Sequence, residues 1–158
     1  MFSLFKKNLN VVSPIVGKYV PLNEIPDEAF RSGMMGEGLG IEPVEDIITS
    51  PIDGEVVMTF PTKHAIGIKR KDGLEILIHV GIDTVILKGQ GFKLLINNNQ
   101  KIKIGQALLE FDRKFIEEQG LNPIVIIVFT NSRYFEVDIK GNDSTITRED
   151  IIAYGKKR

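Results

Sequence analysis

The fold of this 158-residue chain is decided by Lys63-His-Ala-Ile-Gly-Ile-Lys-Arg-Lys-Asp-Gly-Leu-Glu-Ile-Leu-Ile-His-Val-Gly-Ile-Asp-Thr-Val85. Two β-branched or alternating runs flank Asp72-Gly73, which favours a tight hairpin turn because both central residues of a type I′ turn need φ > 0. With that dipeptide as the loop, Lys71 lies opposite Leu74. The stretch therefore predicts strand, turn and strand.

The only two histidines of the chain, His64 and His79, lie on opposite strands of this predicted hairpin. In the predicted register Ile66 lies opposite His79. Side chains alternate between faces along a strand, so both histidines share one face with Ile66 and Leu77. Their Cβ atoms are then diagonal neighbours about 7–8 Å apart. A register one residue away would separate them, and the alternative is two unrelated structural histidines.

The composition is that of a soluble globular domain, with 42% hydrophobic and 26% charged residues. A net charge of −1 argues against a nucleic-acid binder that depends on broad positive charge. The absence of cysteine excludes disulfides, thiolate nucleophiles and cysteine-ligated zinc. No apolar run approaches the roughly 18–20 residues that span a bilayer. These features are compatible with a cytoplasmic protein.

The rest of the chain predicts a single all-β domain of many short strands. Further strands are predicted at residues 56–60 and 124–130. The almost uninterrupted apolar run Ile124–Phe129 is typical of a strand buried on both faces. One short helix is predicted over Asp112–Gly120, with Asp112 as its N-cap, and a helical turn from Pro26 to Phe30.

An internal sequence repeat predicts that the sheet is built from two duplicated halves. Pro14-Ile-Val-Gly-Lys-Tyr-Val20 is similar to Pro51-Ile-Asp-Gly-Glu-Val-Val57, and a Lys-x-Gly-x-x-Leu element follows in residues 101–109. Such elements are typical of biotinyl and lipoyl carrier domains and of related barrel-sandwich folds. A carrier role does not follow, because Lys71 lacks the flanking residues of an acceptor lysine.

The N-terminus is expected to lie outside the folded domain. Residues 1–11 are predicted to be a flexible segment, and residues 12–158 a single domain. Apolar side chains within residues 1–7 stand beside Lys6 and Lys7, which favours at most weak contact with a membrane surface. The alternative is a frayed terminus.

Three kinds of chemistry suit the histidine pair. A zinc site needs three or four ligands, so the two histidines would need carboxylates such as Asp83. General acid–base catalysis suits an imidazole that titrates near neutrality. A nucleophilic histidine would accept and pass on a phosphoryl group, with Thr62 and the second histidine as neighbouring donors. The apolar face around the pair would then serve protein docking: Phe60, Ile66 and Leu77.

The residues also carry a resemblance. His79-Val-Gly-Ile-Asp-Thr-Val85 followed by Leu87-Lys-Gly-Gln-Gly-Phe92 resembles the phosphorylation-site motif of glucose-type IIA domains. These belong to the bacterial phosphoenolpyruvate-dependent sugar phosphotransferase system. Thr62-Lys-His-Ala65 is similar to the strand that carries the second histidine of that family. Further similarity at Ser50–Gly54 and Gly105–Asp112 extends the resemblance over nearly the whole chain.

The resemblance implies an antiparallel β-sandwich and a phosphotransferase component. His79 would accept the phosphoryl group from the histidine of HPr and pass it to a IIB domain of a sugar permease. His64 would hold the phosphoryl oxygens, and Thr62 would orient His64. Asp83 matches an acidic residue of the family's site, the alternative being a turn residue that caps the strand end. Neither a cofactor nor a particular sugar is implied.

The resemblance also implies a docking surface for HPr and the IIB domain. It would include Phe30, Met34, Met35 and Phe60, with burial in the core as the alternative for each. Pro61 and Ile86 depart from the family pattern, which predicts altered partner preference rather than altered chemistry. In some members the paired histidines bind zinc where a partner adds a ligand, so His64 and His79 are expected to hold metal only with a partner. The contrasting hypothesis is a regulatory module that binds target proteins without onward transfer.

Overall fold

The computed structural model describes residues 9–142 and 144–158. These residues form fourteen strands, two short α-helices and three 3-10 turns. In chain order the strands are β1 (Asn10–Val12), β2 (Gly17–Pro21), β3 (Glu37–Pro43), β4 (Ile47–Thr49), β5 (Gly54–Thr59), β6 (Ala65–Arg70), β7 (Glu75–Val80), β8 (Phe92–Leu94), β9 (Lys101–Ile102), β10 (Ala107–Phe111), β11 (Val125–Phe129), β12 (Phe135–Ile139), β13 (Thr145–Ile146) and β14 (Ile151–Lys157). The helices are α1 (Glu28–Arg31) and α2 (Arg113–Glu118), and the 3-10 turns are Leu22–Glu24, Thr84–Leu87 and Ser132–Tyr134.

The strands form one large sheet and two small ones. The eight-stranded sheet has the order β13-β2-β3-β11-β7-β6-β5-β9. The three-stranded sheets have the orders β1-β14-β12 and β4-β10-β8. Neighbouring strands pair antiparallel, from β1 with β14 to β6 with β7. The predicted antiparallel all-β fold with one or two short helices is confirmed.

Strand β11 separates two apolar clusters. Each of its five residues is buried, as predicted for a strand covered on both faces. Its odd-numbered residues join the main core between the sheets. Ile126 and Val128 join a smaller cluster with Ile25, Phe30 and Ile124 on the opposite face. Burial on two sides explains why the sequence of β11 lacks polar alternation.

The predicted duplication corresponds to two copies that bond each other reciprocally. They comprise residues 13–17 and 50–54, both Ser-Pro-Ile-x-Gly. In each copy the serine hydroxyl donates to the carbonyl two residues on, at 2.6 Å. The N–H of the residue just before each copy donates to the proline carbonyl of the other copy, at 2.9 and 3.1 Å. The repeat therefore joins the two halves of the domain at equivalent points.

The predicted register of the central hairpin is wrong by one residue. Ala65, not Ile66, lies opposite His79. The N–H of Arg70 donates to the Leu74 carbonyl at 2.9 Å, which leaves the three-residue loop 71–73. Gly73 takes the left-handed position of that loop, with φ of +102°. A three-residue loop of this kind competes with the two-residue turn that Asp-Gly also favours.

Both predicted helices are present, each with an aspartate N-cap. Asp112 accepts from the N–H of Phe115 at 3.0 Å, and Gly120 follows α2 with φ of +78°. Asp27 caps α1 by accepting from the N–H of Ala29 at 3.0 Å. Helix α1 therefore stands as a short element between β2 and β3, where its Phe30 enters the smaller cluster.

The folded domain begins before residue 12, the predicted boundary. Strand β1 starts at Asn10, and Val11 is fully buried opposite Ala153 of β14. The predicted flexible segment is therefore wrong at residues 10 and 11. The membrane contact predicted for residues 1–7 lies outside the described residues. Within the described part of the chain, no helix has the length and apolar character needed to cross a membrane.

Candidate active site at the paired histidines

The two histidine rings lie against each other at the end of the central hairpin. Their centroids are 4.9 Å apart, and the rings are nearly perpendicular at 82°. Phe30 lies on one side, 5.1 Å from the ring of His79, and Phe60 on the other, 5.7 Å from the ring of His64. The predicted proximity of the two histidines is therefore present, and a phenylalanine ring flanks the pair on each side.

His79 projects from β7 on the side of the smaller apolar cluster. It pairs with Ala65 on one neighbouring strand and with Ile126 on the other. The chain after β7 is then held by two backbone bonds, from Gly81 to the Ile124 carbonyl at 2.7 Å and from Ile82 to the Asn122 carbonyl at 2.9 Å. His79 thus lies on a central strand, next to the end that these two bonds fix.

His64 precedes β6 and is oriented by a neighbour two residues back. Thr62 Oγ1 lies 2.8 Å from His64 Nδ1. Only 7% of His64 is exposed. Between the two, Lys63 has a left-handed backbone with φ of +59°. The Thr62 contact is what the resemblance implied for that residue.

A tight turn follows His79 and includes two residues that the sequence reasoning missed. Gly81 has φ of +82°, and a Cβ placed on it would lie 2.3 Å from Thr84 Cγ2. Thr84 is fully buried and donates its hydroxyl to the Val80 carbonyl. A glycine two residues after His79, with a threonine three residues further on, is the sequence signal for this turn, since only glycine fits such a left-handed close approach.

Burial controls the protonation of both imidazoles. Burial first, and the nearby His64 second, lower the pKa of His79 from 6.5 to about 4. The backbone of Gly81 and the carboxylate of Asp27 oppose that shift. Burial also lowers the pKa of His64, against the opposing effect of the Thr62 backbone. Both rings are therefore neutral near pH 7.

The two ring nitrogens of His79 have different surroundings. Nδ1 is buried and has no hydrogen-bond partner that meets bonding geometry among the described residues. The Gly81 backbone is nonetheless close enough to raise the pKa of the ring. The half-buried ring therefore presents Nε2 as the nitrogen that an incoming group can reach.

One carboxylate that the sequence reasoning missed lies near His79, and the predicted carboxylate lies in the turn after β7. Asp27, the N-cap of α1, is close enough to His79 to raise the pKa of the imidazole. Asp83, the predicted acidic residue, is exposed in a left-handed conformation with φ of +59° at the start of a 3-10 turn. Asp83 is thus a residue of the turn after β7, and its side chain makes no capping hydrogen bond to the 3-10 turn. Its role at the site stays a prediction.

Four exposed apolar side chains lie in two loops, the one after α1 and the one after β7. Met34 is 79% exposed and Met35 37%, so burial, the alternative for both, is wrong. Val85 and Ile86, in the 3-10 turn after β7, are 48% and 64% exposed. These four residues are called the apolar rim below.

The remaining predicted docking residues differ in exposure. Phe60 and Leu77 are half-buried, and Phe30 is buried against His79. Ile66 is fully buried in the main core, so its predicted place on the docking face is wrong. The one-residue change of register is the reason, because it turns Ile66 to the face opposite His79.

No metal centre is complete within residues 9–142 and 144–158. No group of three or more histidine, cysteine, aspartate or glutamate side chains there is arranged to hold an ion. His64 and His79 supply two imidazoles, one or two fewer than zinc requires. Zinc completed by a partner's ligand stays a prediction.

Comparisons with known proteins converge on one system. Residues 9–135 match the family described as "phosphoenolpyruvate-dependent sugar phosphotransferase system, EIIA 1". A glucose-specific EIIA component of Staphylococcus epidermidis is 47% identical over 126 residues, which cover 80% of this chain and 76% of that protein. A counterpart from Bacillus anthracis is 46% identical over 122 residues, covering 77% and 74%.

Two further relatives extend the comparison. A glucoside-specific EIICBA component of Staphylococcus carnosus is 43% identical over 129 residues, which are 82% of this chain but 19% of that longer protein. The solved glucose permease IIA from Mycoplasma capricolum superposes with a TM-score of 0.80 at 33% identity. That match covers 92% of this chain and 94% of the other.

Proposed function

Because the chain belongs to the EIIA 1 family of the phosphoenolpyruvate-dependent sugar phosphotransferase system, we propose that His79 is its phosphoryl carrier. It accepts the group from the histidine of HPr and passes it to a IIB domain of a sugar permease. The observation that carries the proposal is the neutral His79 ring 4.9 Å from a second histidine inside an apolar, half-buried site.

The nucleophile is Nε2 of His79. A lowered pKa keeps the lone pair of this nitrogen available at neutral pH. The ring proton then sits on the buried Nδ1, beside the Gly81 backbone. As the Nε2–P bond forms, the bond between phosphorus and the partner's imidazole nitrogen breaks, and that imidazole leaves with the electron pair. Onward transfer repeats the step with His79 as the leaving group.

His64 stabilises the phosphoryl group during its transfer. When its Nδ1 accepts from the Thr62 hydroxyl, its Nε2 carries a hydrogen and can donate to a phosphoryl oxygen. Thr62 fixes both the tautomer and the ring orientation. This arrangement gives His64 a role in transfer without making it the stable acceptor.

Asp27 and Asp83 attract basic groups of a partner. Asp27 lies near His79 and Asp83 begins the 3-10 turn after β7, and each would repel a phosphoryl group on His79, which carries a charge of about −2. Their negative charge therefore favours a partner with cationic side chains around its own histidine. It also disfavours an idle phosphoryl group and so promotes onward transfer.

The apolar rim docks HPr and the IIB domain in turn. Its exposed methionines adapt to different surfaces because their side chains are flexible and unbranched. A protein surface that serves two partners successively needs that property. The fused EIICBA relative supports a IIB domain as one of the two. No cofactor takes part, and His64 and His79 hold zinc only where a partner adds a ligand.

The decisive experiment is phosphoryl transfer from phosphoenolpyruvate through enzyme I and HPr. We expect acid-labile phosphate on the native chain, none on His79→Gln, and label on His64→Gln that is passed to a IIB domain poorly. Tyr134→Gln is the control, an exposed aromatic in the turn between β11 and β12, remote from Ile126 and His79.

Each other outcome has a defined meaning. Absence of label on the folded native chain would refute the carrier role. Label without onward transfer to any IIB domain, together with retained partner binding, would favour the alternative of a regulatory module. Label that persists in His79→Gln would move the acceptor to another residue.

A further inference from the structure

The two histidine rings are in contact, although the strand register by itself would place their side chains on opposite faces of the sheet. The N–H of Val80 donates to the His64 carbonyl at 2.7 Å, so His64 lies opposite Val80. Val80 is fully buried in the main core. Since side chains alternate, extending β6 backwards by one residue would point His64 into that core too. Its ring lies instead 4.9 Å from the ring of His79, on the other face.

The alternation is broken at Lys63. Strands β5 and β6 are joined by residues 60–64, and the N–H of Lys63 donates to the Phe60 carbonyl at 2.9 Å. Lys63 has φ of +59°, a left-handed conformation that is uncommon for residues other than glycine, asparagine and aspartate. A left-handed residue directly before His64 changes the orientation of the following peptide. The His64 side chain therefore points to a different face than regular strand alternation would give.

The surroundings hold Lys63 in this conformation. Thr62 Oγ1 bonds His64 Nδ1 across it, at 2.8 Å. The loop also lies against Gly89, where an added Cβ would be 3.5 Å from the Pro61 carbonyl oxygen and 3.8 Å from Lys63 Cδ. The aliphatic part of the Lys63 side chain therefore packs near Gly89. The backbone conformation of Lys63 and the charge of its amine can be tested separately.

We propose that Lys63 is a positioning residue, whose left-handed backbone aims His64 at His79. The expected effect of Lys63 on phosphoryl transfer rests on the proposed function. Its effect on the position of the His64 ring does not. Strained backbone persists where the surrounding structure enforces it, and it concentrates at functional sites. The inference predicts that the conformation at residue 63 matters and that the amine does not.

Three substitutions separate conformation from charge. Lys63→Asn and Lys63→Gly remove the amine but accept a left-handed backbone, whereas Lys63→Val removes it and disfavours that backbone. We expect onward transfer to fall at least about ten-fold in Lys63→Val. In Lys63→Asn it should stay within about three-fold of the native rate.

The control for strain is Asn99→Val. Asn99 is exposed and has a left-handed backbone, φ of +68°, in the loop before β9, where its N–H donates to the Val56 carbonyl at 2.7 Å. It tests whether the same strain, placed in a loop outside the histidine site, lowers transfer. We expect it to destabilise the fold while leaving transfer near the native rate.

A nuclear magnetic resonance readout makes the test independent of phosphate. Contacts between the two imidazoles, and the nitrogen shifts that report the His64 tautomer, should be lost in Lys63→Val and kept in Lys63→Asn and Asn99→Val. Native ring contacts in Lys63→Val would overturn the inference. So would equal loss of transfer in all three Lys63 variants, since the amine would then be the active element. If no variant or native chain is labelled, the ring contacts still decide the inference, and only the proposed function fails.

Discussion

At the scale of single residues, the protonation of His79 links function to stability. Its pKa is lowered from 6.5 to about 4 in the folded chain, so the unfolded chain binds more protons between these values. The stability that neutral burial contributes is therefore complete above about pH 6.5 and is lost as the pH falls toward 4. Nucleophilic availability at neutral pH and sensitivity to acid have the same cause.

His79→Gln should remove part of this acid sensitivity. The native chain is expected to lose up to about 3 kcal/mol of unfolding free energy through His79 between about pH 7 and pH 4, and the variant should not. Urea unfolding at about pH 7 and pH 4.5 measures the difference. An identical acid dependence of the two proteins would show that His79 is not buried in its neutral form.

Thr62→Val tests the hydrogen bond that orients His64. Losing the 2.8 Å contact should lower onward transfer by about ten-fold, the equivalent of about 1.4 kcal/mol, while labelling of His79 persists. Thr62→Ser keeps the hydroxyl and should restore most of the rate. Equal rates in Thr62→Val and the native chain would remove Thr62 from the mechanism.

At the scale of elements, the turn after β7 fixes the end of the strand that carries His79. Gly81→Ala would bring a Cβ to 2.3 Å from Thr84 Cγ2 in a left-handed backbone, so we expect a loss of about 2–4 kcal/mol of stability. Gly120→Ala is the matched control, because Gly120 is also left-handed but a Cβ there meets nothing within 4 Å. It should cost about 1 kcal/mol.

Urea unfolding of the two glycine variants measures this contrast. A similar loss in both would mean that backbone conformation alone sets the cost. The predicted difference between them instead assigns the larger share to the contact with Thr84, and hence to the close fit of this turn.

The hairpin illustrates what sequence alone predicts at this scale. Both strands were predictable from β-branched alternation, but the loop was not, since Asp72-Gly73 suits both two-residue and three-residue loops. The proximity of the histidines was predicted from a register that is wrong by one residue. The histidines are nonetheless close, because the left-handed backbone of Lys63 turns the His64 side chain back to the face of His79 and so compensates for the register change. A positive φ at lysine has no reliable sequence signal.

At the scale of the whole molecule, the all-β class and the duplicated halves were predictable because both follow from repeated local patterns. The two-sided burial around β11 was also visible in its unbroken apolar run. Asp27 was not, because its approach to His79 depends on how α1 is held over the sheet. The exposed place of Met34 was likewise undetermined, since an apolar residue before a strand is compatible with either burial or docking.

The apolar rim yields a prediction about partners. Ile86 is 64% exposed, so Ile86→Glu should leave the fold and the maximal rate unchanged while raising the KM for phospho-HPr about three-fold or more. Ile104→Glu is the control, since Ile104 is 47% exposed in the turn between β9 and β10. A fall in kcat with unchanged KM would contradict a docking role for this residue.

The central claim is that one atom, Nε2 of His79, carries the phosphoryl group. The most direct measurement is phosphorus–nitrogen coupling in the isotopically labelled protein after phosphorylation by HPr. The account predicts one phosphohistidine, with coupling to Nε2 of His79 and none to His64. Coupling to Nδ1 of His79, or to either nitrogen of His64, would contradict it.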